Sequence, residues 1–144
     1  MKENVKDLIN PNIVKLSPEE PIKDAIIRIA ASNLGPVAFV VDKTDKLVGL
    51  ITPKRVLKQI LVSEFGAPRT PALEWVDLLN SMTSKTIGDI MGPPISVKPD
   101  DMIVDVIKTM LDANLFQMPV TDHNGKLLGE VRSFTIIANW GENR

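Results

Sequence analysis

The sequence of 144 residues contains no cysteine. Its absence excludes disulfide bonds, zinc sites and iron–sulfur clusters with cysteine ligands, and catalysis by a thiol. A chain without cysteine suits a reducing compartment, and we expect the protein in the cytoplasm.

The sequence also lacks an excess of positive or negative charge and has no long apolar run. The chain has 17 Lys and Arg against 18 Asp and Glu, so its formal net charge is −1. This balance provides no electrostatic reason to expect nucleic acid or an anionic membrane as a partner. The first residues, Met1–Asp7, lack the apolar core of a signal peptide. No apolar run approaches the roughly 18 residues that span a bilayer. The expected class is a soluble intracellular globular protein.

Groups that could support catalysis are few. The single histidine, His123, falls in a predicted turn. The sequence shows no cluster of metal ligands and no nucleophile paired with a base and an orienting group. The acidic pairs at 19–20 and 100–101 precede predicted helices, where negative charge is favourable without any chemistry. The sequence therefore predicts a protein that is not an enzyme and has no metal site.

What the sequence does contain is an internal repeat. Residues 46–55 read KLVGLITPKR, and residues 126–135 read KLLGEVRSFT. Each copy predicts an apolar strand that runs into a helix. The first turn of a helix has unpaired N–H groups and a positive dipole end, which favour an anion. Two copies in one chain predict a duplicated unit.

The rest of each half follows the same order of strand, helix, strand, strand and helix, which predicts an α+β fold. We predict a first repeat at 1–62, a connector at 63–85 and a second repeat at 86–144. In the connector, Thr70 and Pro71 are suited to the N-cap and first position of a helix. That helix is apolar enough to need a surface to pack on. The surface is either its own domain or a dimer mate, or the helix is a lid or a docking site for another protein.

The last helix of each repeat carries apolar residues at helical spacing, which predicts a buried stripe. The residues are Val56, Leu57, Ile60 and Leu61 in the first repeat and Phe134, Ile136, Ile137 and Trp140 in the second.

Four motifs of the second half carry a family resemblance, and the first half has weaker aligned copies. The motifs are Ile87–Met91 (IGDIM), Val97–Asp101 (VKPDD), Met118–Asp122 (MPVTD) and Gly125–Gly129 (GKLLG). In this order and in two copies, they resemble a tandem pair of cystathionine-β-synthase (CBS) domains. The resemblance covers nearly all of the chain except the connector and the last few residues.

This resemblance implies two repeats that pack through their sheets with pseudo-two-fold symmetry and leave two clefts. It also implies a module that pairs into a disc-like homodimer. Many members of the family bind AMP, ADP, ATP or S-adenosylmethionine in these clefts. In the family's ligand signature, a Gly and two apolar residues precede a Ser or Thr that meets phosphate. Two further residues then precede an Asp that meets the ribose hydroxyls.

Both copies depart from this signature. In the first, Gly49–Thr52 matches, but Arg55 stands at the Asp position. In the second, Glu130 interrupts the apolar pair, Arg132 replaces Ser or Thr, and Thr135 replaces Asp. The usual contact to the ribose is therefore absent from both copies, and we expect recognition to rest on phosphate more than on ribose.

The candidate ligand residues form two groups that follow from the family's geometry. The first comprises Thr52, Lys54 and Arg55, completed by Ser96 from the opposite repeat. The second comprises Arg132, Ser133 and Thr135, completed by Lys15.

Each functional interpretation has a structural alternative. Thr52 is also a good helix N-cap. Cations in a first helical turn oppose the dipole, so Lys54 and Arg55 favour an anion site unless both point into solvent.

Two functions follow. The first is a non-catalytic regulatory module that binds an adenine nucleotide or a related phosphate-bearing ligand and signals to an unknown protein partner, with no required cofactor. The second is a ligand-free dimerisation or docking module. A homodimer is expected in both cases.

Overall fold

The computed structural model of the protein describes residues 2–142. Within that range it contains a 3-10 helix at Val5–Asp7, five strands and six α-helices. The strands are β1 (Lys15–Leu16), β2 (Ala38–Val41), β3 (Leu47–Ile51), β4 (Gln117–Thr121) and β5 (Leu127–Arg132). The helices are α1 (Ile22–Ser32), α2 (Pro53–Phe65), α3 (Trp75–Thr83), α4 (Ile87–Ile90), α5 (Ile103–Ala113) and α6 (Ser133–Glu142). The predicted α+β fold class is confirmed.

The described chain divides into two compact units. The Thr52 unit comprises residues 14–43 and 48–94, and the Arg132 unit comprises residues 2–13, 44–47 and 95–142. Neither unit is a continuous stretch of sequence.

The Thr52 unit contains a sheet with the strand order β1-β2-β3. β1 runs parallel to β2, with Leu16 opposite Val40. A parallel pair needs a crossover connection, and α1 provides it. α1 ends at Asn33, which adopts the left-handed conformation that Asn tolerates at a helix C-terminus. The core of this unit lies between the sheet, α1 and α4, and it comprises Val14, Leu16, Ile22, Ala25, Ala38, Val40, Ile51, Ile87 and Ile90.

The Arg132 unit contains the antiparallel pair of β4 and β5. The strand expected at the start of the second repeat is reduced to one residue, Val97, which pairs in parallel with Val120. The backbone N–H of Val97 donates to the carbonyl of Pro119 at 3.0 Å, and that of Thr121 donates to the carbonyl of Val97 at 2.9 Å. The order of the elements therefore repeats that of the first half.

The short segment at the start of each predicted repeat packs on the other repeat. In the Thr52 unit, the backbone N–H of Gly88 donates to the carbonyl of Pro18 at 2.8 Å. In the Arg132 unit, the N–H of Lys6 donates to the carbonyl of Pro99 at 2.9 Å. The compact units therefore differ from the predicted segments 1–62, 63–85 and 86–144, which stay a prediction as domain boundaries.

These two segments also add one pairing residue beyond β3 in the Thr52 unit and beyond β5 in the Arg132 unit. Leu50 of β3 pairs with Gly92, and Glu130 of β5 pairs with Asn10. A Cβ atom on Gly129, next to Glu130, would lie 2.5 Å from the carbonyl oxygen of Asn10. This position therefore requires glycine, because any side chain would push the added segment away.

The connector helix begins four residues later than predicted. Thr70 and Pro71 lie in a turn, and α3 begins at Trp75. The carboxylate of Asp77 accepts a hydrogen bond from the backbone N–H of Glu74 at 3.0 Å, which satisfies one of the unpaired donors of this helix end. Asp77, three positions after the N-cap residue Glu74, is the sequence signal for this helix start, and the prediction at Thr70 did not use it.

The connector helix packs on α2 of its own chain. The ammonium of Lys58 lies 2.9 Å from the carboxylate of Asp77. The side-chain amide of Gln59 donates to the carbonyl of Ser81 at 3.1 Å. The structure therefore supports packing on its own domain for one face of this helix.

The prediction of buried stripes on α2 and α6 is wrong for most of their residues. α2 buries Gln59 and Val62, and α6 buries Ile136 and Asn139. Both helices carry apolar residues on more than one face, so spacing alone does not decide which face turns inward. The large apolar side chains that remain exposed are Leu57, Ile60, Phe134, Ile137 and Trp140.

Candidate functional site

The junction between β3 and α2 is centred on Thr52. β3 ends at Ile51, and α2 begins at Pro53, whose missing N–H costs little at the first helical position. Thr52 has extended backbone angles, and its Oγ1 accepts a hydrogen bond from the backbone N–H of Arg55 at 3.4 Å. A hydroxyl that accepts this bond still has its own O–H to donate. Thr52 therefore caps the helix and retains a donor for a ligand.

The first turn of α2 carries two cations and no acidic residue. The side chains of Lys54 and Arg55 are exposed. Both charges add to the positive end of the helix dipole, which is an unfavourable arrangement without a nearby anion.

The guanidinium of Arg55 lies against the segment after α4. Its Nη1 donates to the carbonyl of Ile90 at 3.3 Å, which is the only side-chain hydrogen bond of Arg55 within residues 2–142. The pKa of Asp77 is lowered by the N–H of Glu74 first, then by Lys58, and also by the charge of Arg55. Most of the guanidinium donors remain available to an anion.

The junction between β5 and α6 is built differently. Arg132 ends β5, and its Nε donates to Oε1 of Glu130 at 2.6 Å. The backbone N–H of Ser133, the first residue of α6, donates to the carbonyl of Phe116 at 2.9 Å. Thr135 lies half-buried in the first turn. At this helix end, the Arg132 Nε–H and the Ser133 backbone N–H already have partners.

Glu130 is the centre of a polar cluster that the sequence did not reveal. The side chain is only 1% exposed. Besides Arg132, it accepts hydrogen bonds from the amide of Gln117 at 2.9 Å and from the amide of Asn10 at 3.2 Å. A charged residue at an apolar position of the family signature was the visible signal. Its partners depend on strand register, which spacing does not provide.

Ser96 belongs to a second group of polar side chains in the Arg132 unit. Oγ1 of Thr121 donates to Oγ of Ser96 at 3.1 Å. The ammonium of Lys98 donates to the same Thr121 oxygen at 2.7 Å. Lys98 and Thr121 were not among the predicted ligand residues, because only the pairing of Val97 with Val120 places them beside Ser96.

The predicted site residues are divided between the two units. Thr52, Lys54 and Arg55 are brought together by one helix end, and Lys15 lies in the same unit with an exposed side chain. Ser96, Arg132, Ser133 and Thr135 lie in the Arg132 unit. The pairing of Ser96 with the first group and of Lys15 with the second stays a prediction.

Residues 2–142 contain no group of three His, Asp or Glu side chains arranged to hold a metal ion. In the same range, no helix combines the length and the apolar character needed to cross a bilayer.

Comparison with known proteins agrees with this architecture. The sequence model of the CBS domain matches residues 5–62 and 87–139. Uncharacterized protein MJ1426 of Methanocaldococcus jannaschii is 30% identical over 151 aligned positions, which cover 92% of this chain and 88% of that protein.

Two solved structures have the same fold over almost the whole chain. CBSX2 of Arabidopsis thaliana, in complex with AMP, superposes with a TM-score of 0.78 at 23% identity and covers 99% of this chain and 100% of its own. The CBS domain pair of MJ0100, in complex with 5′-methylthioadenosine and S-adenosyl-L-methionine, has a TM-score of 0.75 at 24% identity and covers 98% of each chain. With two matched segments in the order that the repeat predicts, this chain belongs to the CBS domain family as a tandem CBS pair.

Proposed function

We propose that the protein is a non-catalytic regulatory module that binds an adenine nucleotide, or a related phosphate-bearing ligand, at the Thr52 junction. The observation that carries this proposal is the first turn of α2. There Lys54 and Arg55 are exposed beside a hydroxyl at the positive end of a helix, and the same helical turn contains no acidic residue. A phosphate would accept hydrogen bonds from Thr52 and from the Arg55 guanidinium, and it would neutralise the local positive charge.

The known ligands of similar proteins support an adenosine-containing compound. CBSX2 holds AMP, and the MJ0100 pair holds 5′-methylthioadenosine and S-adenosyl-L-methionine. For this chain the candidates are AMP, ADP, ATP and S-adenosylmethionine. Arg55 supplies donors only and cannot accept the hydrogen bonds of ribose hydroxyls as an Asp does. We therefore propose that phosphate contributes more to recognition than ribose.

Ser96 is the proposed further contact of this ligand. Its Oγ already accepts a hydrogen bond from Thr121, so its own hydroxyl hydrogen remains to be donated. The sequence also predicts a second site at Arg132, Ser133, Thr135 and Lys15.

The proposed role is regulation without chemistry. CBS pairs are generally regulatory modules, and this one is proposed to need no cofactor, to form a homodimer and to act on a protein partner in the cytoplasm.

One observation favours the alternative of a ligand-free dimerisation or docking module. The connector helix α3 packs on α2 through Asp77 and Ser81, and much of the rest of its surface is apolar and exposed. The exposed side chains are Trp75, Val76, Leu79 and Met82, between 56% and 81% accessible. An exposed apolar surface of this kind often marks an interaction site.

A thermal-shift panel of AMP, ADP, ATP, S-adenosylmethionine and inorganic phosphate tests the proposal. A ligand at 100 times its dissociation constant stabilises the native state by about 2.7 kcal/mol, which raises the melting temperature by several degrees. Stabilisation by at least one adenosine compound supports the nucleotide module. If all five compounds leave the melting temperature unchanged, the nucleotide-binding proposal fails and the ligand-free docking module is the favoured function.

A further inference from the structure

The two strand–helix junctions of this duplicated chain differ at the residues just before the helix. In the Thr52 unit, Leu50 and Thr52 occupy the positions that Glu130 and Arg132 occupy in the Arg132 unit. Leu50 is 3% exposed and Glu130 is 1% exposed, so both are core positions. One copy of the repeat therefore buries a leucine where the other buries a carboxylate.

The buried carboxylate accepts three side-chain hydrogen bonds. In the ladder of β4 and β5, Gln117 lies opposite Arg132, and Glu130 lies two residues earlier on the same face of β5. Asn10 pairs with Glu130 from the other edge. Three side chains consequently converge on Glu130, at 2.6 Å from Arg132, 2.9 Å from Gln117 and 3.2 Å from Asn10.

Glu130 and Arg132 form an ion pair with the carboxylate buried. A carboxylate that is 1% exposed needs its countercharge, because an unpaired charge in the protein interior is costly. Arg132 is the only ion-pair partner of Glu130 among the described residues. A phosphate that took the Arg132 guanidinium would therefore leave Glu130 buried without a cation.

We infer that Glu130 is a built-in anion that occupies Arg132 and thereby restricts phosphate binding to the Thr52 junction. This inference rests on the proposed function and adds the number of nucleotides that each chain binds. Each chain binds one nucleotide, and Glu130 is the residue that determines which copy of the repeat is used. The Thr52 junction has no equivalent anion, since Leu50 replaces the carboxylate.

The test is isothermal titration calorimetry with ATP. The variants are Glu130→Leu, which copies Leu50, and Glu130→Gln, which keeps the side-chain shape. Wild type is expected to bind one ATP per chain. Either folded variant removes the Glu130 carboxylate from the Arg132 guanidinium and is expected to bind two, the second site weakening tenfold or more at high salt. The matched control Glu130→Leu/Arg132→Ala removes both members of the pair and is expected to return to one.

Several outcomes would overturn the inference. They are two ATP per wild-type chain, an unchanged number of sites in the folded Glu130 variants, or a second site that survives removal of Arg132. If wild type binds no ATP while Glu130→Leu binds one through Arg132, the occupation of Arg132 by Glu130 stands, and the proposed nucleotide function of the natural protein fails together with the stoichiometry of one.

A measurement on the wild-type protein avoids the question of variant folding. The Nε–H signals of arginine side chains are followed by ¹⁵N NMR during an ATP titration. The Arg55 signal is expected to shift and the Arg132 signal to stay in place. A shift of the Arg132 signal as large as that of Arg55 would show that phosphate reaches Arg132, contrary to the inference.

Discussion

A Cβ atom at position 92 would lie 2.6 Å from Nε of Arg55, so glycine at this position lets the Arg55 side chain lie across the segment that follows α4. The same guanidinium donates to the carbonyl of Ile90 at 3.3 Å. Arg55 is thereby held close to the N-terminus of its own helix, with donors left for a phosphate.

Replacing Arg55 by Ala is expected to weaken the binding of ATP by about tenfold or more. A charge-assisted hydrogen bond contributes about 1.5–3 kcal/mol, and 1.4 kcal/mol corresponds to a factor of ten. Calorimetry with adenosine, AMP and ATP measures this, and wild-type affinity should rise in that order. Arg69→Ala is the control, since it removes an exposed arginine of the connector, outside the junction.

Arg55→Asp is the complementary change. It restores the acceptor of the family signature and should flatten the order from adenosine to ATP, because ribose contacts return while phosphate is repelled. If Arg55→Ala binds ATP as tightly as wild type does, or if wild type binds adenosine as tightly as ATP, phosphate recognition by Arg55 is refuted.

Thr52→Asp separates helix capping from ligand binding. Aspartate is as good an N-cap as threonine, so the free energy of unfolding should change by less than about 0.5 kcal/mol. Its negative charge repels phosphate, and ATP affinity should fall at least tenfold. Thr52→Ala, in comparison, should lose about 1 kcal/mol of stability. Urea unfolding and calorimetry measure the two effects. Unchanged ATP affinity in Thr52→Asp would mean that Thr52 is a cap alone.

Gly129→Ala is expected to destabilise the protein by about 1–3 kcal/mol, because its Cβ would collide with backbone that cannot move cheaply. Asn10 and Glu130 exchange two backbone hydrogen bonds, of 2.8 and 2.9 Å, at the point of collision. Gly141→Ala in α6 is the matched control. It meets no atom within 4 Å and should be neutral or up to about 1 kcal/mol stabilising. Equal stability of the two variants in urea unfolding would contradict the close approach.

The packing of the connector helix is expected to depend on pH through Asp77. The backbone N–H of Glu74, and then Lys58, lower the pKa of this carboxyl. A lowered pKa in the folded state contributes stability that is present above the unfolded-state value of about 3.9 and is lost as the pH falls through the folded-state value. Asp77→Asn should therefore cost about 1 kcal/mol at neutral pH and progressively less below about pH 4.

Thermal unfolding of wild type and Asp77→Asn between pH 3 and 7 checks this. The control is Asp112→Asn, which neutralises an exposed carboxylate of α5. A stability difference between wild type and Asp77→Asn that is the same at pH 3 and pH 7 would be inconsistent with the role given to Asp77.

A homodimer is expected in solution, because the helices of each unit expose large apolar side chains. Leu57, Leu111 and Phe134 are between 64% and 74% accessible. Light scattering at micromolar concentration should yield twice the 15.9 kDa chain mass. Phe134→Glu should lower the mass to that of the single chain, and Asn124→Glu in an exposed turn should not. A wild-type mass near 15.9 kDa would refute the dimer.

Much of this protein could be predicted from its sequence, because the information is local. The order of elements was predicted from the repeat of 46–55 at 126–135 and from the polar residues that separate the apolar runs. The capped helix end at Thr52 was predicted from the Pro at position 53. These features depend on backbone conformation and hydrogen bonds within a few residues, which residue type largely determines. The cysteine-free composition excluded whole classes of chemistry in the same way.

Other features were decided only by the tertiary structure, because they join residues that are distant in sequence. The first segment of each repeat packs on the other repeat, so Asn10 pairs with Glu130 and Gly92 pairs with Leu50. α2 carries apolar residues on several faces, and only packing shows that Val62 turns inward while Leu57 stays exposed. Strand register likewise brings Gln117 to Glu130. Spacing along the chain contains no information on such pairs, since each depends on which surfaces meet after folding.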